Sequence, residues 1–184
     1  MGLISTILTT DQCEVHAELD DSQQNLTLRI SGVVNEDVNF GVVLDQLGAN
    51  YSAIPNALID VQNIQSLNSV GVRGWLLFLE RLQQSKTCRF IGLSEAFVEQ
   101  SNLVANMLGR KGTPVETFVI PYYCEKCNDR FALQFQTKDL PADLETFTPA
   151  PVKCTKCGSS MEFDSLPEEY FSFLRHHHAH RPGV

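Results

Sequence analysis

The chain has 184 residues, of which 43% are hydrophobic and 20% are charged. This composition excludes an intrinsically disordered chain, and the apolar runs are far shorter than the roughly 20 residues that cross a bilayer. Acidic residues outnumber basic ones by 22 to 14, which gives a formal charge of −8.

Neither half of the chain is basic. Residues 1–120 carry 7 basic and 13 acidic residues (−6), and residues 121–184 carry 7 and 9 (−2). Because phosphate backbones require clustered Lys and Arg, we expect no direct binding to nucleic acid. Residues 1–10 lack the basic start and cleavage site of a secretory signal, so the sequence predicts a cytoplasmic protein without a membrane partner.

Residues 1–120 alternate between strand-like and helix-like patterns. Strands are predicted at residues 13–19, 26–34, 57–61, 88–93 and 114–120. Helices are predicted at residues 37–47, 69–84 and 95–108, with Ser94 as the N-cap of the third and with Gly48 and Gly109 as stops. Strands that alternate with helices predict an α/β fold, in which a mixed, partly parallel sheet is flanked by helices.

Four of the six cysteines form two matched pairs, Cys124-x-x-Cys127 and Cys154-x-x-Cys157, separated by 26 residues. Each pair can fold as a tight knuckle, and two knuckles supply four thiolates to one tetrahedral ion. Asn128 and Gly158 follow the second cysteine of each pair, and both residue types tolerate the left-handed conformation that such a turn favours. Cys13 and Cys88 lie in strand-like runs, so we expect both to be buried as small hydrophobic residues.

The segment around these cysteines resembles a zinc ribbon. Residues 130–136 alternate apolar and polar like a strand, and residues 161–163 are a candidate return strand. The sequence therefore predicts a small second domain, residues 121–184, held by one structural zinc per chain. A rubredoxin-like iron centre on the same four thiolates and a redox-active dithiol are the alternatives.

The end of the chain combines an aromatic helix with a basic tail. Acidic residues precede four large apolar side chains, which are Tyr170, Phe171, Phe173 and Leu174. We expect this helix to dock on the rest of the protein, although an apolar surface for a second chain is the alternative and leaves a homo-oligomer open. The His-rich stretch at residues 176–180 is interpreted as a solvated tail, with metal binding as the alternative.

Residues 58–71 carry the most informative motif of the first domain. An apolar strand reaches Asp60, apolar Ile64 and Leu67 follow, and the turn Asn68-Ser69-Val70-Gly71 opens a helix. This register resembles the signature of the STAS family, the sulfate-transporter and anti-sigma-factor-antagonist domains. The resemblance covers residues 12–120.

The turn has its own physical chemistry. Asn68 and Ser69 are good N-cap residues, and Gly71 allows a close approach of another backbone, which we expect to be that of a partner. The resemblance implies that the second residue after Asn68 is a serine that a partner kinase phosphorylates, which abolishes binding by adding charge. Here that residue is Val70, which has no hydroxyl; Ser69 remains an alternative acceptor.

From these observations we expect a non-enzymatic, bacterial protein-interaction module with a regulatory role. The resemblance implies a protein partner such as an anti-sigma or serine-kinase regulator, contacted through Asn68, Ser69, Val70 and Gly71. Two alternatives stay open, a zinc-ribbon protein associated with the transcription machinery and an iron-containing redox protein.

Overall fold

The computed structural model describes residues 4–22, 24–141, 143–144 and 147–178, the last three of these by their backbone alone. The histidine side chains of the C-terminal tail lie outside this description, so the expectation of a solvated tail stays a prediction. No helix within the described residues is long and apolar enough to cross a membrane.

The first sheet has five strands in sequence order. They are β1 (Ile4–Thr9), β2 (Cys13–Leu19), β3 (Asn25–Val34), β4 (Asn56–Leu67) and β5 (Thr87–Ile91). The first three pair antiparallel, and β3, β4 and β5 pair parallel. Helices α1 (Phe40–Tyr51) and α2 (Ser69–Ser85) connect the parallel strands, and α3 (Glu95–Leu103) follows β5. The predicted α/β class, a mixed sheet flanked by helices, is confirmed.

Alternation along the strands decides which face of this sheet is covered. Alternate side chains are buried through most of β2, most of β3 and the first half of β4, as far as Val61, while intervening residues such as Glu14 and Arg29 face outward. Trp75 of α2 lies where the helices meet, with its ring in contact with those of Phe40 in α1, Phe90 in β5 and Phe97 in α3. Its indole N–H donates to the carbonyl of Met107 at 2.8 Å, so this buried polar group is hydrogen-bonded.

A second sheet follows, with strand order β7-β6-β9-β8. Its strands are β6 (Thr117–Cys124), β7 (Asp129–Gln136), β8 (Val152–Lys153) and β9 (Ser160–Phe163), and they pair antiparallel. Two short helices end the described chain, α4 (Pro167–Tyr170) and α5 (Ser172–His178).

Strand β6 links the two sheets. The chain just before and within it pairs parallel to β5, through bridges between Phe90 and Val115 and between Leu93 and Phe118. The same strand then runs as a central strand of the second sheet and ends at Cys124. One strand therefore crosses residue 120, and the predicted strand at 114–120 is displaced toward the cysteines.

The aromatic residues of the C-terminal helices dock on this junction, as predicted. Tyr170, Phe171, Phe173 and Leu174 are at most 5% exposed. Phe171 and Phe173 pack edge-on against Phe118 of β6. The core of the first sheet is thus continuous with that of the second.

Several predicted boundaries are wrong. Helix α1 begins at Phe40 because Asn39 caps it, and it passes through Gly48 because Leu47 and Tyr51 are buried one turn apart. Helix α3 ends at Leu103, before Asn106 adopts a left-handed φ of 64°. The sequence assigned no element to β1.

Strand β4 is also longer than predicted, since it continues past Asp60 to Leu67. Asp60 therefore lies inside the strand, where its Oδ1 accepts the N–H of Gln62 at 3.1 Å and its other oxygen lies 3.5 Å from the Arg29 guanidinium. The carboxylate has a structural role in the sheet.

Candidate docking turn and candidate metal centre

Asn68 caps helix α2. Its Oδ1 accepts the N–H of Gly71 at 2.8 Å, and its own N–H donates to the carbonyl of Val34 at 3.1 Å. Its amide Nδ2 donates to Glu36 Oε2 at 2.6 Å. Hydrogen bonds from the backbone N–H of Glu36 and then from Asn68 lower the pKa of the Glu36 carboxyl. The turn is therefore held by the loop that follows β3.

Ser69 is the first residue inside the helix, so its predicted role as the cap is wrong and Asn68 alone fills it. Its side chain is exposed at the surface. Asn68 occupies the cap position because its side chain reaches the N–H three residues later. The hydroxyl of Ser69 is thus accessible at the positive end of the helix dipole.

Gly71 is buried, and the backbone that approaches it belongs to this chain. A Cβ built on Gly71 would lie 2.1 Å from the carbonyl oxygen of Val34, far inside van der Waals contact. A side chain here would push the start of α2 away from the end of β3. The internal contact with Val34 is enough to require glycine at this position.

Val70 and Leu77 form an exposed apolar stripe on α2. Their exposed fractions are 55% and 54%. They are seven residues apart, which is two helical turns, so they share one face. Gly74 lies between them and is so close to Phe40 of α1 that a Cβ would be 3.2 Å from that ring. The absence of a side chain on Gly74 therefore lets α1 pack closely against α2 between the two exposed residues.

The four matched cysteines come together as predicted. All four sulfur atoms lie within 4.8 Å of one another, with Cys124 Sγ 3.6 Å from Cys157 Sγ and Cys127 Sγ 3.7 Å from Cys154 Sγ. A tetrahedron with metal–sulfur bonds of about 2.3 Å has sulfur–sulfur edges of about 3.8 Å. The cluster is thus the right size for one metal ion with four thiolate ligands.

The two knuckles have the predicted backbone. Asn128 and Gly158 adopt left-handed φ angles of 51° and 73°. In the second knuckle, the N–H of Gly158 donates to the carbonyl of Cys154 at 2.8 Å. Each knuckle is joined to a strand, since Cys124 ends β6 and Cys154 follows β8 directly. The two strands belong to one sheet, which brings the knuckles together.

Neighbouring side chains support the cysteine cluster. Lys156 of the second knuckle forms an ion pair with Asp129 beside the first, and its ammonium lies 5.3 Å from the centre of the Phe131 ring. Hydrogen bonds from the side chain and then the backbone of Ser159 lower the pKa of the Cys157 thiol to about 6, which favours its thiolate. The hydrogen bond with Cys157 in turn raises the pKa of the Cys127 thiol, so the protons are shared unequally among the cysteines. Cys124 and Cys154 are buried, so one side of the cluster faces the core.

The other two cysteines do not join the cluster. Cys13 and Cys88 are buried in the first sheet at 1% and 4% exposure, which confirms their prediction as small core residues. Burial raises the pKa of each thiol to about 11. Both thiols therefore stay protonated and unreactive at neutral pH.

Sequence reasoning missed the partners that support these sites. Glu36 and Val34 hold the turn from a strand end more than 30 residues away, and no local pattern marks them. Ser159 and Asp129 adjoin the cysteine pairs, so their proximity in sequence was an available signal for a supporting role.

Neither protein-family models nor curated protein sequences match this chain. Among solved structures, it is similar to the crystal structure of an anti-sigma-factor antagonist STAS domain from Rhodobacter sphaeroides. The TM-score is 0.36 and the identity 18%, and the likeness covers 48% of this chain and 95% of that chain.

Proposed function

We propose that this chain is a non-enzymatic regulatory module that binds another protein through the start of helix α2. The observation that carries the proposal is the stripe of Val70 and Leu77, two large apolar side chains more than half exposed on one helical face. Exposed apolar side chains that line up on one face are typical of protein contact surfaces. The capped turn at Asn68 holds the stripe in a defined position.

The partner we propose is an anti-sigma factor or a serine-kinase regulator. The support is the sequence register of Asp60, Ile64, Leu67 and the turn 68–71, which resembles the STAS signature. Val70 replaces the serine that the resemblance implies as a phosphorylation site, so the contact surface at this position is permanently uncharged. Ser69 is the remaining hydroxyl of the turn, and a phosphate there would add negative charge beside Val70.

We further infer that the cysteine cluster holds one structural zinc ion and that residues 121–184 form a unit that is fixed against residues 1–120. Four thiolates leave no open coordination position for water, so the ion would stabilise the fold rather than catalyse hydrolysis. The ion pair of Arg130 in β7 with Glu95 in α3 at 2.8 Å joins the two parts and supports a fixed arrangement.

The test is the substitution Val70→Asp. Val70 is exposed in the first turn of α2, where an added carboxylate is favoured by the helix dipole, so the fold should be unchanged. The charge should abolish partner binding because it must be desolvated at the contact. The full chain is used to capture proteins from its native cell extract, and a protein retained by the wild type but lost by the variant is purified and titrated by calorimetry.

Leu103→Asp is the matched control, since Leu103 is 78% exposed at the end of a different helix. This variant should retain the partner. Loss of an anti-sigma or serine-kinase regulator with Val70→Asp alone supports the proposal. Equal capture by both variants, or the specific loss of a polymerase subunit instead, would contradict it.

A further inference from the structure

Each sheet leaves one long strand unpaired on its outer side. In the first sheet this strand is β1, because the outer side of β5 already pairs with the chain that leads into β6. In the second sheet it is β7, while the opposite end is the two-residue strand β8. An unpaired strand offers a row of N–H and C=O groups that another chain can pair with.

Strand β1 has a device that opposes such pairing. Its register with β2 shifts between Thr6 and Leu8, so that Ile7 is an extra residue in the strand. Such a β-bulge bends and twists an edge strand and interrupts its regular hydrogen-bonding row. The edge of the first sheet is therefore a poor template for another strand.

Strand β7 has no β-bulge. All eight of its residues, Asp129–Gln136, pair with β6 in one continuous register. Residues 131–136 contain no charge, proline or glycine, the residues that usually guard an edge. Within the described residues, the backbone of β7 has hydrogen bonds to β6 only.

The side chains of β7 also leave apolar surface open. Phe131, Leu133 and Phe135 alternate along one face and are only partly buried, although they touch the core. Ala132, Gln134 and Gln136 alternate on the other face and are exposed. A further strand beside β7 would cover the open sides of the apolar residues and pair the free backbone groups.

We propose that β7 pairs antiparallel with β7 of a second copy of this chain. The second sheets of the two copies would then join into one continuous sheet. A two-fold axis between antiparallel strands requires one residue to face its own copy. With Leu133 at that position, Phe131 lies opposite the partner's Phe135 and Ala132 lies opposite the partner's Gln134. Apolar residues then face apolar residues and polar residues face small or polar ones.

The same register keeps like charges apart. Arg130 lies opposite the partner's Gln136, and in its own chain it is already paired with Glu95 and Asp164. Asp129 is paired with Lys156. In this register no like charges face each other and apolar residues face apolar residues, which is what pairing with an identical copy needs.

The contact is small, so the dimer should be weak and concentration-dependent. Two eight-residue strands bury less than the roughly 1,200 Å² of a standard stable interface. Each chain also carries a formal charge of −8, and the two charges repel. Added salt should therefore strengthen the dimer by screening this repulsion.

The test is sedimentation equilibrium of the full chain at protein concentrations from about 1 μM to about 1 mM, the range over which a weak dimer forms. Two double variants change the exposed residues 132 and 134, and they differ from each other only in the side chain at 132. Ala132→Glu with Gln134→Glu places like charges opposite each other twice, and we expect dimerisation at least about tenfold weaker. Ala132→Lys with Gln134→Glu places opposite charges there, and the dimer should be retained or tightened.

Ile4→Lys on β1 is the control for the other edge, since Ile4 is 62% exposed there and faces Glu18 across the strand pair. It should leave the dimer unchanged. A wild-type chain that is monomeric throughout, a dimer that survives the two glutamates, or a dimer that Ile4→Lys dissociates would each overturn the proposal. Circular dichroism confirms that each variant is folded.

Discussion

Tyr170 shows how one hydroxyl joins the C-terminal helices to the sheet. Its ring is 5% exposed, and its Oη donates to the carbonyl of Val119 in β6 at 2.6 Å. Burial, and after it the carboxylates of Glu95 and Glu99, raises the pKa of Tyr170 well above its usual range. The hydroxyl therefore stays protonated at neutral pH and can donate this bond.

Tyr170→Phe should lower the free energy of unfolding by about 1 kcal/mol, because the buried carbonyl of Val119 loses its partner while the ring keeps its packing. Urea denaturation measures the change. Tyr123→Phe is the control, since its hydroxyl bonds Asn128 Oδ1 at 2.5 Å at an exposed site where water can substitute. Equal stabilities of Tyr170→Phe and the wild type would show that the bond has no net value.

Asn102 makes a second residue-scale link to the same helices. Its side-chain amide donates to the carbonyl of Tyr170 at 3.1 Å, and its Oδ1 accepts the N–H of Phe173 at 2.6 Å. One side chain of α3 thus bonds the backbone where α4 gives way to α5. The sequence offered no sign of this role, because the partners are about 70 residues away.

At the scale of elements, two glycines within helices have different structural roles. Gly48 lies in α1 with no atom within 4 Å of a built Cβ, whereas Gly71 lies in α2 against the carbonyl of Val34. The sequence suggested that Gly48 ends its helix and that Gly71 admits a partner backbone. Residue type alone does not show whether a glycine is open to solvent or lies against another backbone, because that depends on the elements that pack beside it.

Gly48→Ala should therefore raise the free energy of unfolding by about 0.5–1 kcal/mol, since alanine loses less backbone entropy in a helix. Gly71→Ala should lower it by about 1–3 kcal/mol, because the new methyl group overlaps a backbone oxygen. Chemical denaturation of the pair gives both values. If Gly71→Ala were as stable as the wild type, the close approach of α2 to β3 would be wrong.

At the scale of the whole molecule, the cysteine cluster and the first sheet share one core. Strand β6 pairs beside β5 at one end and carries Cys124 at the other. Phe118, in the middle of this connection, contacts Phe171 at the junction between the C-terminal helices and Phe173 of α5. Loss of the zinc ion proposed above should consequently destabilise the first sheet as well as the knuckles.

We expect the purified chain to contain one zinc per molecule and no visible absorption, as measured by elemental analysis and spectroscopy. Cys154→Ser should lose the ion and lower the melting temperature, because three thiolates bind the ion more weakly and the two knuckles lose their link. Cys13→Ala should keep the ion, since Cys13 lies in the first sheet. A coloured protein with iron would reject zinc, and full metal content in Cys154→Ser would reject the four-cysteine site.

The parts of this protein that follow from the sequence are those with short-range causes. The knuckles need only the spacing of two cysteine pairs with Asn128 and Gly158 after them, and α2 needs only a polar cap before an amphipathic run. Alternation in β2 and β3 likewise indicates a sheet with one covered face. In each case the residues that decide the structure lie within a few positions of one another.

The remaining features depend on residues far apart in the chain. The continuation of α1 past Gly48, the crossing of residue 120 by β6 and the approach of Val34 to Gly71 each depend on contacts between separate elements. The open edge of β7 is of the same kind, since a strand is an edge only relative to its neighbours. Local patterns hold no information on these contacts, because packing energy is gained between elements and outweighs the preferences of single residues.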